Sequence, residues 1–168
     1  MSLADKSRGS NNLPRFLLEH SLLGLARLLR FAGMDARVYR ACPSGRVLAI
    51  CTAEERILLQ RGGKRLPNGL KPYRLQAVGK WNWFEQIVRD FQLERFDFGR
   101  RCPECNTELL STSKDKILGR VPTEVSEHHH QFKSCLGCGR VYWAGGQYRS
   151  LRERMLHLLA IVAKGEQR

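Results

Sequence analysis

The stretch "RFLLEHSLLGLARLLRFAGMDARVYRA", residues 15–41, changes its hydrophobic rhythm twice, and that change decides the fold class. "RFLLE", 15–19, is a short continuous apolar run of the length a buried strand needs. "SLLGLARLLRFAG", 21–33, has helical spacing of its leucines and stops at Gly33, and "ARVYRA", 36–41, reads as a second strand. A strand, a helix and a strand in that order predict a parallel pair with a right-handed crossover. Outward from there the pattern repeats. "SGRVLAICTAEE", 44–55, puts Val47, Leu48, Ile50 and Cys51 on one helical face with Ser44 as its N-cap, and "RILLQ", 56–60, is a third strand. After a loop rich in Gly, Pro and positive charge, 61–72, "YRLQAV", 73–78, supplies a fourth strand. Asn82 then caps a helix carrying Phe84, Ile87, Val88 and Phe91. The expectation is α/β, with a largely parallel sheet and flanking helices. Ligands of such sheets sit at the carboxyl ends of the strands, which directs attention to Glu19 and His20, Ala41 to Ser44, and Gln60 to Lys64.

A second unit is announced by "RCPECNTEL", 101–109, and "KSCLGCGRVYW", 133–143. Cys102, Cys105, Cys135 and Cys138 form two CxxC pairs, each a tight turn able to aim two thiolates at one metal. Together they suit one tetrahedral zinc ion in a zinc ribbon. Pro103, Gly137 and Gly139 let the backbone bend there. A redox pair would account for one CxxC and leave the other unexplained, and two local disulfides are the remaining alternative. Four sulfurs fill the coordination sphere, so the metal is expected to hold structure and do no chemistry.

Lys and Arg total 29 against 16 Asp and Glu, a formal +13, which implies a polyanionic partner. The arginines are spread along the chain instead of lying on one basic amphipathic helix, which favours nucleic acid over a membrane surface. No apolar run approaches membrane-spanning length, and "MSLADKSRGSNN" lacks the apolar centre of a signal peptide, so the expected compartment is the cytoplasm. In that reducing setting Cys42 and Cys51 read as thiols packed in the core. "SLRERMLHLLAIVAK", 150–164, opens with a Ser150–Glu153 capping box and lines up Leu151, Met155, Leu158, Leu159 and Val162 on one face, a stripe of ordinary burial spacing. The expected division is a disordered arm 1–13, an α/β domain 14–99, a zinc ribbon 100–148, and a closing helix and tail 149–168.

The segments 15–39, "ERILLQRGG" at 55–63, 101–109, "RVPTEV" at 120–125 and "FKSCLGCGRVYW" at 132–143 together resemble the Mut-seven C-terminal ribonuclease domain family. The resemblance implies a PIN-like nuclease domain joined to a zinc ribbon, acting on RNA through carboxylates that gather magnesium or manganese at the carboxyl ends of the strands. The chain departs from that pattern at the acids. The family's first aspartate falls on Glu19, the acid ending its third strand falls on Gly62, and the acids opening its second helix fall near Ser44 and Gly45. Gln147 stands where members commonly carry a histidine. Glu54 and Glu55 lie at the far end of the second helix, as solvated charge.

With one acid left, Glu19 is the candidate catalytic residue, and the expected function is RNA binding with cleavage weakened or lost. The alternatives are an active metal-dependent endoribonuclease and a protein-interaction adaptor using the closing helix. Arg27, Arg30, Arg61, Lys64, Arg65, Lys71, Arg74, Arg100, Arg101 and Arg140 are the cations that could line an RNA path. Tyr142 and Trp143 are candidate stacking platforms or, as residues ending a ribbon strand, packing against the neighbouring domain; Trp81 and Trp83 pose the same choice. "EHHHQ", 127–131, reads as a surface loop, since three adjacent histidines cannot face one point.

Overall fold

The computed structural model describes residues 13–62, 70–76 and 78–165, so Lys64 and Arg65 lie outside the described residues. Its first unit follows the predicted alternation: β1 (Arg15–Glu19), α1 (Leu23–Phe31), β2 (Asp35–Tyr39), α2 (Ser44–Ala53), β3 (Ile57–Arg61), β4 (Tyr73–Leu75) and α3 (Lys80–Asp90). A 3-10 turn, His20–Leu22, joins β1 to α1. The four strands pair in parallel in the order β2-β1-β3-β4.

Because successive residues of a strand face opposite sides, β1 feeds two cores. Phe16 and Leu18 join Leu59 beneath α1 and α3, whereas Leu17 and Leu58 meet Val47 and Cys51 of α2 on the other face. Cys51 is buried and Cys42 half-buried against that second cluster, as expected of packing thiols. At the end of α1, Gly33 takes φ +94° and passes so close to the Asp97 carbonyl that no Cβ would fit.

Two expected caps move by a residue or more. Pro43 is the N-cap of α2, with ψ 142°, and its carbonyl accepts from the amides of Arg46 and Val47, so Ser44 is the first helical residue. Gly79, at φ +97°, caps α3, while Asn82 sits inside the helix and its side-chain amide donates to the Val78 carbonyl at 2.8 Å. In both cases a residue with an imposed or permissive backbone takes the turn ahead of the polar side chain.

The second unit is an antiparallel sheet of β5 (Leu109–Thr112), β6 (Phe132–Cys135) and β7 (Val141–Trp143), in that order. A 3-10 turn at Lys114–Ile117 and the short α4 (Thr123–His128) connect β5 to β6. His128 and His130 are exposed, and His128 Nδ1 lies 2.8 Å from the Glu124 carbonyl of its own helix. The chain closes with α5 (Gly146–Gly165), which starts four residues before the expected capping box, leaving Ser150 in its interior. Its stripe of Leu151, Met155, Leu158, Leu159 and Val162 packs on the first core beside α1 and α3. Among the described residues no helix is long and apolar enough to cross a membrane.

Candidate metal centre and nucleic-acid interface

The four ribbon cysteines converge. One sulfur of each lies within 4.8 Å of all the others, with Cys102 Sγ 3.6 Å from Cys138 Sγ and Cys105 Sγ 3.2 Å from Cys135 Sγ. Four sulfurs about 2.3 Å from one zinc ion would stand about 3.8 Å apart, so the set fits a metal ion such as zinc. The two turns are built alike. Asn106 follows the first pair and Gly139 the second, both at φ +74°, and each returns its amide to the carbonyl of the leading cysteine, Cys102 or Cys135, at 2.9 and 2.8 Å. Gly137 permits close approach between them, since a Cβ there would strike Thr107. Burial opposes ionisation of Cys105, but the hydroxyl and amide of Thr107 outweigh it and bring its pKa to about 6. Cys135 is pushed up to about 12 by burial and by its hydrogen bond with Cys105. A metal ion binds these sulfurs as thiolates, so its binding would release protons.

This first turn is clamped to the α/β unit by residues whose roles the sequence did not reveal. Arg30 is only 3% exposed and donates from Nε to the Ala36 carbonyl at 2.8 Å, and from Nη1 to the Pro103 and Glu104 carbonyls at 3.0 and 2.8 Å. Asn106 donates to Asp35 Oδ1 at 2.7 Å and accepts from the Ala36 amide at 3.0 Å. Asp35 in turn takes a two-pronged ion pair from Arg56, at 2.7 and 3.0 Å. Asp35 opens β2, so the ribbon docks at the amino-terminal edge of the parallel sheet, away from Glu19.

At the carboxyl-terminal edge, Glu19 is half-buried and faces Tyr39, its partner in the β1–β2 register. The Tyr39 hydroxyl donates to Glu19 Oε1 at 3.5 Å and the Ser21 hydroxyl to Oε2 at 3.4 Å. Burial and then the Glu19 carboxylate push the Tyr39 phenol up to about 12. Beside them the end of β3 presents the carboxamide of buried Gln60, which accepts from Arg74 at 3.4 Å; Arg74 also donates to the Gly62 carbonyl. The described segments at this edge, 19–24, 39–46, 60–62 and 74–76, contain no other acid. Apart from the four cysteines, no group of three or more metal-ligating side chains occurs among the described residues. A carboxylate-held divalent cation does not fit this donor set: one carboxylate, a phenol and an amide, beside Arg61 and Arg74, supply too little negative charge. Glu54 lies elsewhere, paired with Arg37 and with Arg56, the latter at 2.5 Å.

Most of the expected cations divide between the two edges. Arg61 and Arg74 lie with Glu19, Lys71 precedes β4 on its amino-terminal side, and Arg27, Arg100, Arg101 and Arg140 lie around the cysteine turns. A five-residue strand separates the edges by roughly 13 Å. Arg30 leaves the list, because its guanidinium is buried on carbonyls, and burial lowers its pKa. Arg101 is likewise committed, its side chain 16% exposed and its guanidinium within 3.6 Å of Asp35 and 3.3 Å of Glu108. Arg27 and Arg140 share Glu104, at 2.6 and 3.4 Å, and Arg100 faces Asp97 and Glu108. Trp83 is core, 8% exposed beneath Arg61, and Trp81 is covered by Arg154 with its guanidinium 3.9 Å from the ring centre. The Tyr142 hydroxyl reaches Cys102 Sγ at 3.0 Å, and Trp143 lies over Gly145.

The chain thus combines a parallel α/β body with a four-cysteine ribbon docked at the amino-terminal edge of its sheet. The chain belongs to the Mut7-C RNAse domain family, whose model matches residues 14–155. Comparison with curated proteins and with solved structures finds no match.

Proposed function

We propose that this chain is a cytoplasmic RNA-binding protein of a PIN-like ribonuclease family, with a structural zinc ion in its ribbon and with nuclease activity weakened or lost. The observation that carries the reading is the donor set at the carboxyl-terminal edge, where Glu19 has tyrosine, serine and glutamine for company instead of further acids. Hydrolysis of a phosphodiester by metal-activated water needs carboxylates to hold the ion and tune the water. Binding needs only cations, and a net charge of +13 supplies them. The apolar stripe of α5 is occupied by the protein's own core, which leaves the adaptor reading without a free surface on that face.

The test is incubation of purified protein with end-labelled RNA in manganese. The expected outcome is salt-sensitive association, unchanged by EDTA treatment too brief to strip zinc, and no cleavage. Manganese-dependent cleavage abolished by Glu19→Ala would establish an endoribonuclease and overturn the loss of activity. RNA affinity no greater than that of an unrelated protein of equal charge would overturn the binding function.

A further inference from the structure

Between the ribbon and the start of α5 lies a groove of about 500 Å3, within the range of about 300–1,000 Å3 typical of ligand sites. Its floor is set by strand register. Ser111, Lys133 and Tyr142 are aligned across β5, β6 and β7 and therefore project from one face of the sheet. Phe98, Trp143 and Tyr148 are among the other residues that line it. Two of these rings are held by a third: Phe31 contacts both Phe98 and Tyr148, with ring centres 5.5 and 5.2 Å away. Tyr142 is tied to Cys102 through its hydroxyl. Lys133 is positioned too, donating to the Gly99 carbonyl at 2.7 Å, which uses one of its three N–H groups.

We propose that this groove is the subsite in which one or two unpaired nucleobases of a single-stranded RNA are held. The inference rests on the RNA-binding reading above and adds where, and in what form, the RNA is gripped. The chemistry matches a nucleotide on three counts. Preordered half-buried rings offer π faces for stacking at little entropic cost. Ser111, Thr112 and Gln131 bring hydroxyls and an amide able to meet a base edge. Lys133 places a cation beside the rings, where the phosphate of a stacked nucleotide would fall. A duplex cannot enter, because its bases are already stacked and paired, so the groove selects single strands.

The test compares wild type with Ser111→Trp, which fills the groove from an exposed position, and Lys133→Met, which removes the cation. Zinc content and circular dichroism confirm the fold of each. Fluorescence anisotropy with a labelled 12-nucleotide oligouridine, and with a duplex of equal length, gives the affinities. Expected is a loss of roughly tenfold for the single strand in Ser111→Trp, a smaller loss in Lys133→Met, and little change for the duplex. Photo-crosslinking of a 4-thiouridine oligomer should label peptides containing Tyr142 or Tyr148. Unchanged single-strand affinity in a folded Ser111→Trp protein, or crosslinks elsewhere only, overturns the groove while leaving RNA binding intact; the groove would then suit an apolar peptide. Absence of RNA binding by wild type itself fails the broader reading.

Discussion

Replacing Arg30 by Met tests whether one buried guanidinium joins the four-cysteine ribbon to the α/β unit. The thioether chain keeps most of the arginine stem's volume, so the change deletes mainly the three hydrogen bonds to the carbonyls of Ala36, Pro103 and Glu104. Hydrogen bonds from a charged donor contribute about 1.5–3 kcal/mol each, and each carbonyl left unpaired adds a penalty. Against this, the variant no longer buries a charge, which removes a desolvation cost of several kcal/mol. The expected net loss is about 3 kcal/mol, or roughly 6–12 °C in Tm for a chain of this length. Urea denaturation of zinc-loaded protein measures the loss, and transfer of zinc to a colorimetric chelator should be faster, because the Cys102–Cys105 turn hangs on these bonds. Arg27→Met is the control: its pair with Glu104 is half-exposed and should matter by at most about 1 kcal/mol. If Arg30→Met and Arg27→Met lost equally little and released zinc at the wild-type rate, the clamp would be refuted.

Cys135→Ser should abolish stoichiometric zinc binding and unfold the three-stranded sheet, since Cys135 is buried in β6 and pairs with Cys105; a metal-free variant with wild-type circular dichroism would sink the site. Asp35 provides a pH test. Burial alone would raise its pKa, but the hydrogen bonds from Arg56 and Asn106 prevail and lower it from 3.8 to about 2. A depressed carboxylate pKa contributes stability that is present above the unfolded value near 4 and is lost as pH falls through about 2, some 2 kcal/mol in all. The stability difference between wild type and Asp35→Asn should therefore shrink by about that amount between pH 5 and pH 2. A gap that stayed constant over that range would contradict the assignment.

The elements legible in the sequence were those whose signal is local and periodic. Leucines at helical spacing in 21–33, the apolar triplet Phe16–Leu18 and the stripe of α5 each show which face is buried, because burying that face is what stabilises the element. The four cysteines were legible because spacing alone brings each pair to one side of a turn. Helix starts were less so. Ser44, Asn82 and Ser150 all have cap chemistry, yet Pro43, Gly79 and the chain's exit from β7 at Gly146 decided where those helices begin. A capping side chain contributes about 1 kcal/mol, too little to overrule the backbone around it.

Arginine was where the sequence misled most. Arg27 and Arg30 are separated by less than one helical turn and look equivalent on paper, but one is a surface ion pair and the other is buried on carbonyls of a segment more than seventy positions away. What the residues by themselves determined was the alternation of strands and helices, the pairing of four cysteines, the scarcity of acids in the segments that follow the strands and the excess of positive charge. What only the tertiary structure decided was the placement of the ribbon at the amino edge, the division of the cations between two edges and the aromatic groove on the ribbon's face. The reason is physical: periodicity and turn spacing act over a few residues, whereas which polar groups become partners depends on contacts that exist only once distant segments have packed.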